Sequence, residues 1–321
     1  MIRYLSAKDI RACLDMDSAI LAMEDAFRQL STGQVTLPTR LRIENSRQDG
    51  AALVMPCYSA AEDFYSLKIA TVYPGNPAAG LPFVQSKLLL TCGKTGTPVA
   101  ILDGTSLTAI RTGAASGLAT RLLSRPDSKV LGVIGAGVQA RTQVEAVCRV
   151  RPIELIKVFS RSRSQAEEFA ADLQIKTTVV DSAQEAVSGS DIVCTVTPAL
   201  SPVFSDNDVS PGTHINAVGS YRTDMIEVPF ETTKRANIAV DHFGSALEEA
   251  GDLVQPMNAG IIDANHFRLE MGQVLENPSL GRASDDSITL FKSVGIAIQD
   301  LCAARMALKN AEKLGLGPLL P

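Results

Sequence analysis

Residues 130–140 constrain the fold more than any other part of the chain. They read Val-Leu-Gly-Val-Ile-Gly-Ala-Gly-Val-Gln-Ala, an apolar strand followed by G-x-G-x-x-A and the start of a helix. In such a segment Gly135 permits a tight turn, Gly137 lets backbone N–H groups approach a phosphate, and Ala140 lets the helix pack close to the strand. The helix N-terminus then faces the phosphates. The segment therefore predicts a dinucleotide-binding turn.

The surrounding sequence supplies the alternation of strands and helices that this turn requires. A bare G-x-G is weak, and a second one at Gly315 to Gly317 has no strand before it, so we assign it no function. After Pro126, apolar strands alternate with helices, which is typical of a doubly wound parallel sheet. The predicted strands are 130–134, 155–159, 177–180, 192–196, 214–218 and 238–240.

The first third of the chain predicts a different, α+β arrangement. Ile20, Met23, Phe27 and Leu30 follow helical spacing in an amphipathic helix over 17–30. Short apolar runs predict strands at 39–43, 51–56, 83–91 and 98–102, the last two joined by a Gly-rich hairpin turn. Helices are predicted over 107–123 and, at the end of the chain, over about 290–314. We expect the last helix to pack back onto the first domain, and we place the boundary at Pro126.

Composition excludes several classes of function. The 321 residues carry 30 Lys+Arg against 35 Asp+Glu, a net charge of -5, and no basic block, so neither nucleic acid nor an anionic membrane is an expected partner. No apolar stretch reaches the roughly 18–20 residues of a membrane span. The six cysteines are scattered, as in the reduced core of a cytosolic protein, and the three histidines are isolated, so no metal site is expected.

The strand after the glycine turn indicates which dinucleotide is bound. NAD enzymes usually place a carboxylate at its tip, whereas an arginine there suits the 2′-phosphate of NADP. Here the strand ends in Ser160-Arg161-Ser162-Arg163, with no carboxylate. We therefore expect NADP to be preferred, with NAD possible. Two solvated surface arginines would give the same pattern.

Three cations in the first domain could hold a small carboxylate. Arg40 follows Leu-Pro-Thr, and Lys68 and Arg111 stand in locally apolar runs, where an exposed charge is unusual. Each, taken singly, could equally belong to a structural ion pair.

Several motifs follow one another along the chain, in the order Met55-Pro56, Lys68, 103–115, 135–140, 215–220, 251–253 and 289–295. In combination they resemble the ornithine cyclodeaminase/mu-crystallin family across essentially the whole chain. The resemblance implies a Rossmann domain over 126–289 and a discontinuous α+β domain over 1–125 plus 290–321 that binds substrate and forms a homodimer. It also implies that Arg40, Lys68 and Arg111 act on the substrate. The implied cofactor-binding residues are Thr112, Gly135, Gly137, Val138, Gln139, Ser160, Arg161, Ser162 and Val218.

One departure from the family pattern bears on the activity. Members that cyclise ornithine carry an Asp where this chain has Tyr221, and Asp224 stands three residues later. Without that acid–base carboxylate we expect hydride delivery to a C=N bond. The resemblance then implies an NAD(P)H-dependent reductase of small cyclic imino acids, such as Δ1-pyrroline-2-carboxylate, which gives L-proline. Ornithine cyclodeamination, alanine dehydrogenation and a non-catalytic NADP-binding, mu-crystallin-like role remain open.

Overall fold

The computed structural model describes all 321 residues. The chain divides into two compact units, which we name by their sheets. The mixed-sheet unit comprises Met1–Arg111 and Ile296–Pro321, and the parallel-sheet unit comprises Thr112–Gly295. We expected the first division at Pro126. It lies instead inside a single helix, Gly104–Leu123, because that helix runs uninterrupted past the end of the first unit.

The mixed-sheet unit contains an eight-stranded sheet and its helices. Its elements are β1 (Ile2–Leu5), α1 (Ala7–Cys13), α2 (Met16–Ser31), β2 (Val35–Thr36), β3 (Leu41–Asn45), β4 (Gly50–Ser59), β5 (Phe64–Val72), β6 (Val84–Cys92), β7 (Pro98–Asp103), the start of α3 (Gly104–Leu123), α11 (Ala297–Leu314) and β16 (Leu319–Leu320). The strand order is β16-β1-β7-β6-β5-β4-β2, and β3 also pairs with β4. Only β1 and β7 are parallel neighbours.

Strand β5 shows how this sheet separates two environments. Ser66, Lys68 and Ala70 point to the buried face, where α11 packs on β4 and β5. The alternate residues Leu67 and Ile69 are exposed on the other face. Because side chains alternate along a strand, Lys68 lies among core residues.

The parallel-sheet unit is a doubly wound α/β fold, as predicted. It begins with the rest of α3 and continues with β8 (Val130–Ile134), α4 (Val138–Val150), β9 (Leu155–Phe159), α5 (Arg163–Ala171), β10 (Thr177–Val179), α6 (Ala183–Val187), β11 (Ile192–Thr195), β12 (His214–Ala217), α7 (Phe230–Arg235), β13 (Asn237–Val240), α8 (Phe243–Glu249), α9 (Gly251–Asn258), β14 (Leu269–Glu270), α10 (Met271–Glu276) and β15 (Thr289–Lys292). All strands are parallel, in the order β10-β9-β8-β11-β12-β15-β13-β14. The chain order reverses between β8 and β11, which is where such sheets bind ligands.

The predicted helix over 290–314 is wrong at its start. Residues Thr289–Lys292 form β15, which lies between β12 and β13, and α11 begins only at Ala297. The apolar run at this point fits a buried strand and a buried helix equally well by spacing. Residues 289–292 form a strand because they pair with β12 on one side and β13 on the other. The parallel-sheet unit therefore extends to Gly295.

The structure adds two simpler findings. All six cysteines are unpaired; four are buried, and Cys92 and Cys148 are half-buried. None of the helices is both long enough and apolar enough to cross a membrane.

Candidate functional site

Two of the three predicted substrate cations share one buried carboxylate in the mixed-sheet unit. Lys68 on β5 donates from Nζ to Asp300 Oδ2 at 2.6 Å, and Arg111 on α3 donates from Nε to Asp300 Oδ1 at 3.0 Å. Asp300 is fully buried, and Lys68 and Arg111 are 2% and 5% exposed. We call these three residues the buried cation cluster. It carries one net positive charge in the protein interior.

A second polar residue of α11 completes the environment of Arg111. Gln299 is fully buried, and its Oε1 accepts hydrogen bonds from Arg111 Nη1 at 2.9 Å and from the backbone N–H of Ile296 at 3.1 Å. Its Nε2 has no hydrogen-bond partner. A buried donor without a partner is costly, so this N–H₂ group is a candidate contact for a bound anion.

The cluster shifts the pKa values of its members. Burial lowers the pKa of Lys68 to about 8, since the ammonium is taken out of water, although Asp300 partly offsets this. Arg111 and Arg40 lower it further by charge repulsion. Burial by itself would raise the pKa of Asp300, but the charges of Arg111 and Lys68 hold it below its ordinary value. Lys68 can therefore exchange its proton near neutral pH.

Arg40 lies near this cluster without being buried in it. It stands between β2 and β3 and is partly exposed. Its positive charge contributes to lowering the pKa of Lys68. The structure thus places all three predicted cations in the same region of the mixed-sheet unit. A planar guanidinium can bind a carboxylate with two parallel hydrogen bonds, so Arg40 and Arg111 suit a small anionic substrate.

Sequence reasoning missed Gln299 and Asp300. Both lie in the first turn of α11, among buried apolar residues such as Ala297, Ile298 and Leu301. Two adjacent polar residues at buried positions of an Ala-rich helix were the available signal. They could not be paired with Lys68 from spacing alone, because 232 residues separate Lys68 from Asp300.

The glycine turn of the parallel-sheet unit has the predicted geometry. Gly135 adopts φ 110°, which is a left-handed-side conformation that favours glycine. Gly137 is the N-cap of α4, with open space where a Cβ would stand. Val138 is 70% exposed, and the buried Oε1 of Gln139 has no hydrogen-bond partner. An open helix N-terminus, whose backbone N–H groups are free of a capping side chain, fits a bound pyrophosphate.

The two arginines after β9, Arg161 and Arg163, differ in their ion pairing. Arg163 pairs with Glu167 at 2.9 Å and also with Asp181. Arg161 is exposed and makes no ion pair. Ser160 accepts a hydrogen bond from the backbone N–H of Ser162, which in turn caps α5. Only Arg161 therefore keeps its guanidinium available for a phosphate.

The remaining predicted cofactor residues, Thr112 and Val218, lie at two other places in this unit. Thr112, on α3, is 9% exposed, and its carbonyl accepts a hydrogen bond from Gln143 at 3.3 Å. Val218 follows β12 directly, and its N–H donates to the carbonyl of Thr195 at 3.1 Å. Val218 thus stands at the carboxyl edge of the sheet, where ligands of this fold bind.

In the segment after β12, the carboxylate nearest to Tyr221 in sequence, that of Asp224, is engaged by an arginine. Arg222 holds Asp224 with two hydrogen bonds, of 2.9 and 2.5 Å, and the Asp224 side chain is 57% exposed. Both carboxylate oxygens of Asp224 are thus engaged by the guanidinium of Arg222. This arrangement does not favour Asp224 as the base of a cyclodeaminase.

Comparison with known proteins gives one consistent picture. The sequence model of the Ornithine cyclodeaminase/mu-crystallin family matches residues 3–314. The Delta(1)-pyrroline-2-carboxylate reductase of Bacillus cereus is 37% identical over 318 residues, covering 98% of each chain. The Thermococcus litoralis Delta(1)-pyrroline-2-carboxylate reductase, solved in complex with NADH and L-proline, has a TM-score of 0.96 at 40% identity and covers 99% of this chain and 100% of its own. An archaeal alanine dehydrogenase dimer with bound NAD has a TM-score of 0.93 at 33% identity, covering 100% and 99%.

The first prediction concerns the carboxylate of the buried cation cluster. Asp300→Asn leaves two buried cations without a counter-charge, so it should reduce the free energy of unfolding by about 3–5 kcal/mol. Glu44→Gln, which breaks the exposed Arg42–Glu44 pair of the same unit, is the control and should cost less than about 1 kcal/mol. Urea denaturation measures both. Equal stability of the two variants would show that Asp300 is dispensable to the cluster.

Proposed function

Because this chain belongs to the ornithine cyclodeaminase/mu-crystallin family, we propose that it is an NAD(P)H-dependent reductase of small cyclic imino acids, with Δ1-pyrroline-2-carboxylate reduced to L-proline as its reaction. The observation that carries the proposal is the buried cation cluster, which a protein without an anionic substrate does not require. The Bacillus cereus and Thermococcus litoralis reductases, similar over almost the whole chain, bear the same activity in their names.

In the proposed mechanism the cations of the mixed-sheet unit bind the substrate. Arg40 and Arg111 hold its carboxylate, which fixes the position of the adjacent C=N bond. Reduction adds one hydride to the imine carbon and one proton to the nitrogen. NADPH or NADH, when bound, would supply the hydride. Lys68, whose pKa is about 8, donates the proton from Nζ.

The parallel-sheet unit offers residues that fit the dinucleotide. Gly135, Gly137 and the N-terminus of α4 would hold the pyrophosphate, with Val138 and Gln139 beside it. Ser160, Arg161 and Ser162 would hold the adenosine ribose, and Thr112 and Val218 are further proposed contacts. We propose that NADP is preferred because Arg161 has no competing carboxylate. NAD remains possible, since two similar proteins were solved with NADH or NAD bound.

We further propose that the chain forms a homodimer through the exposed face of the mixed sheet. Leu41 and Ile43 on β3 and Tyr65, Leu67 and Ile69 on β5 are 37–58% exposed. Strand β4 lies between β3 and β5, so these residues form one apolar surface. A contiguous apolar surface of this kind marks an interface. The archaeal alanine dehydrogenase is a dimer, which supports a second copy as the partner.

The experiment that tests the reaction compares substrates with the wild-type protein. Δ1-Pyrroline-2-carboxylate, Δ1-piperideine-2-carboxylate and pyruvate with ammonia are each supplied with NADPH or NADH, and the nicotinamide absorbance is followed. We expect the cyclic imines to be reduced much faster than pyruvate is aminated. Conversion of ornithine to proline without net use of NAD(P)H would establish cyclodeamination instead. Binding of NADPH with no turnover of any substrate would favour a binding protein.

The proton donor is tested by Lys68→Ala. Removing Nζ should lower kcat by about 100-fold or more and leave NADPH affinity nearly unchanged. In the wild type, kcat/KM should fall as the pH rises through about 8, since the ammonium form is lost, and the variant should lose this dependence. Lys87→Ala, at an exposed lysine of β6, is the control. A wild-type pH profile retained by Lys68→Ala would assign the proton to another group.

The cofactor preference is tested by comparing two neighbouring arginines. Arg161→Ala should weaken NADPH by about 10-fold or more and NADH little, because one charge-assisted contact to the 2′-phosphate is lost. Arg163→Ala should affect both dinucleotides little, since Arg163 already pairs with Glu167 and Asp181. Dissociation constants from nicotinamide fluorescence measure this. Equal weakening of NADPH and NADH by Arg161→Ala would remove the basis for the NADP preference.

A further inference from the structure

A fully buried carboxylate in the parallel-sheet unit ties together the segments that follow two neighbouring strands. Glu227 Oε1 accepts hydrogen bonds from the N–H of Thr197 at 2.7 Å and from its hydroxyl at 2.8 Å. Oε2 accepts from the Thr195 hydroxyl at 3.0 Å and from the N–H groups of Gly219 and Ser220 at 2.8 and 3.2 Å. Thr195 is the last residue of β11 and Thr197 follows that strand, while Gly219 and Ser220 follow β12. Both oxygens act entirely as acceptors.

A buried ion pair supports Glu227 from the other side. Asp252 Oδ1 accepts hydrogen bonds from the backbone N–H groups of Glu227 and Val228 at 2.6 and 3.0 Å. Lys292 Nζ donates to Asp252 Oδ2 at 2.8 Å and to the carbonyl of Ser220 at 2.5 Å. Lys292 and Asp252 are fully buried. The segment after β12 is therefore held by Glu227 through its N–H groups and by Lys292 through a carbonyl.

The two segments approach so closely that only glycine fits at one position. A Cβ on Gly219 would lie 2.3 Å from the Thr197 carbonyl oxygen and 2.6 Å from Glu227 Oε1. Backbone atoms cannot move aside as the end of a side chain can. The absence of a side chain at Gly219 thus lets the segments after β11 and β12 touch, and Glu227 accepts hydrogen bonds from both.

The place of this network in the sheet indicates what it serves. A doubly wound fold binds a dinucleotide across the carboxyl ends of its strands, one mononucleotide on each side of the point where strand order reverses. Strands β8, β9 and β10 lie on one side and carry the glycine turn and Arg161. Strands β11 and β12 lie on the other, so their carboxyl ends face the nicotinamide half.

We propose that Glu227 is a positioning residue for the nicotinamide half of the cofactor, which it controls through the segments after β11 and β12. This inference rests on the NAD(P)H binding of the proposed function. A carboxylate is required because both oxygens face N–H or hydroxyl donors. In a glutamine at this position, the side-chain N–H₂ group would face the backbone N–H groups of Thr197 or of Gly219 and Ser220. Two donors cannot share a hydrogen bond, so the segment concerned would be displaced.

The test compares the affinity for the whole cofactor with the affinity for a fragment that lacks the nicotinamide. Glu227→Gln should weaken NADPH by about 10-fold but leave 2′-phospho-ADP-ribose, which lacks the nicotinamide, within about 2-fold of wild type. Isothermal titration calorimetry measures both ligands. Equal weakening of both, or no change in either, would overturn the proposal. Because catalysis is not measured, a wild type that binds NADPH but reduces no imine contradicts the proposed reaction and leaves this comparison intact.

A milder variant keeps the proposal testable if Glu227→Gln does not fold. Thr197→Val removes one hydroxyl donor to Glu227 and should weaken NADPH selectively, though less. Thr213→Val is the matched control, since this buried threonine donates one hydrogen bond to the Ser190 carbonyl at the opposite end of β12. It should affect neither ligand. If Thr197→Val changes binding no more than Thr213→Val does, Glu227 has no positioning role.

Discussion

Burial of charge is the constraint on which the rest of this structure depends. A lone ion in a protein interior costs several kcal/mol, so Lys68 and Arg111 can be kept in the core only with a counter-charge. Asp300 supplies it and touches both. One anion between two cations leaves the region short of negative charge. The carboxylate of a substrate would make up this deficit, which is why the same arrangement can serve both stability and binding.

The parallel-sheet unit uses buried carboxylates for a different purpose. Glu227 accepts hydrogen bonds at two strand ends, and Asp241 Oδ2 accepts from the Ser293 hydroxyl and from the N–H groups of Val294 and Gly295. Parallel strands end in backbone groups that no further strand pairs. A buried carboxylate satisfies several of them at once and thereby fixes the path of the following segment.

Burial shifts the pKa values of Lys68 and Glu227 in opposite directions. It lowers the pKa of Lys68 to about 8, and it raises the pKa of Glu227 to about 7, with the charge of Asp252 adding to the rise. For Lys68, the shift brings a group that is ordinarily always charged into the range where it can give up a proton. For Glu227, the many donors and Lys292 act against the rise and favour the charged form.

The sequence by itself determined the features that depend on near neighbours along the chain. The strand–glycine–helix turn at 130–140, the parallel sheet after it and the amphipathic helix near residue 20 follow from local spacing and backbone sterics, and the structure has them all. It also singled out Lys68 and Arg111, because charges in apolar runs are unusual. Only the tertiary structure revealed Asp300, Gln299 and the Glu227 network, placed Thr289–Lys292 in a strand, and distinguished Arg161 from the paired Arg163. Apart from the local Arg163–Glu167 pair, these depend on residues well separated in the chain, and no local pattern specifies which distant residue a buried charge or an ambiguous apolar run will meet.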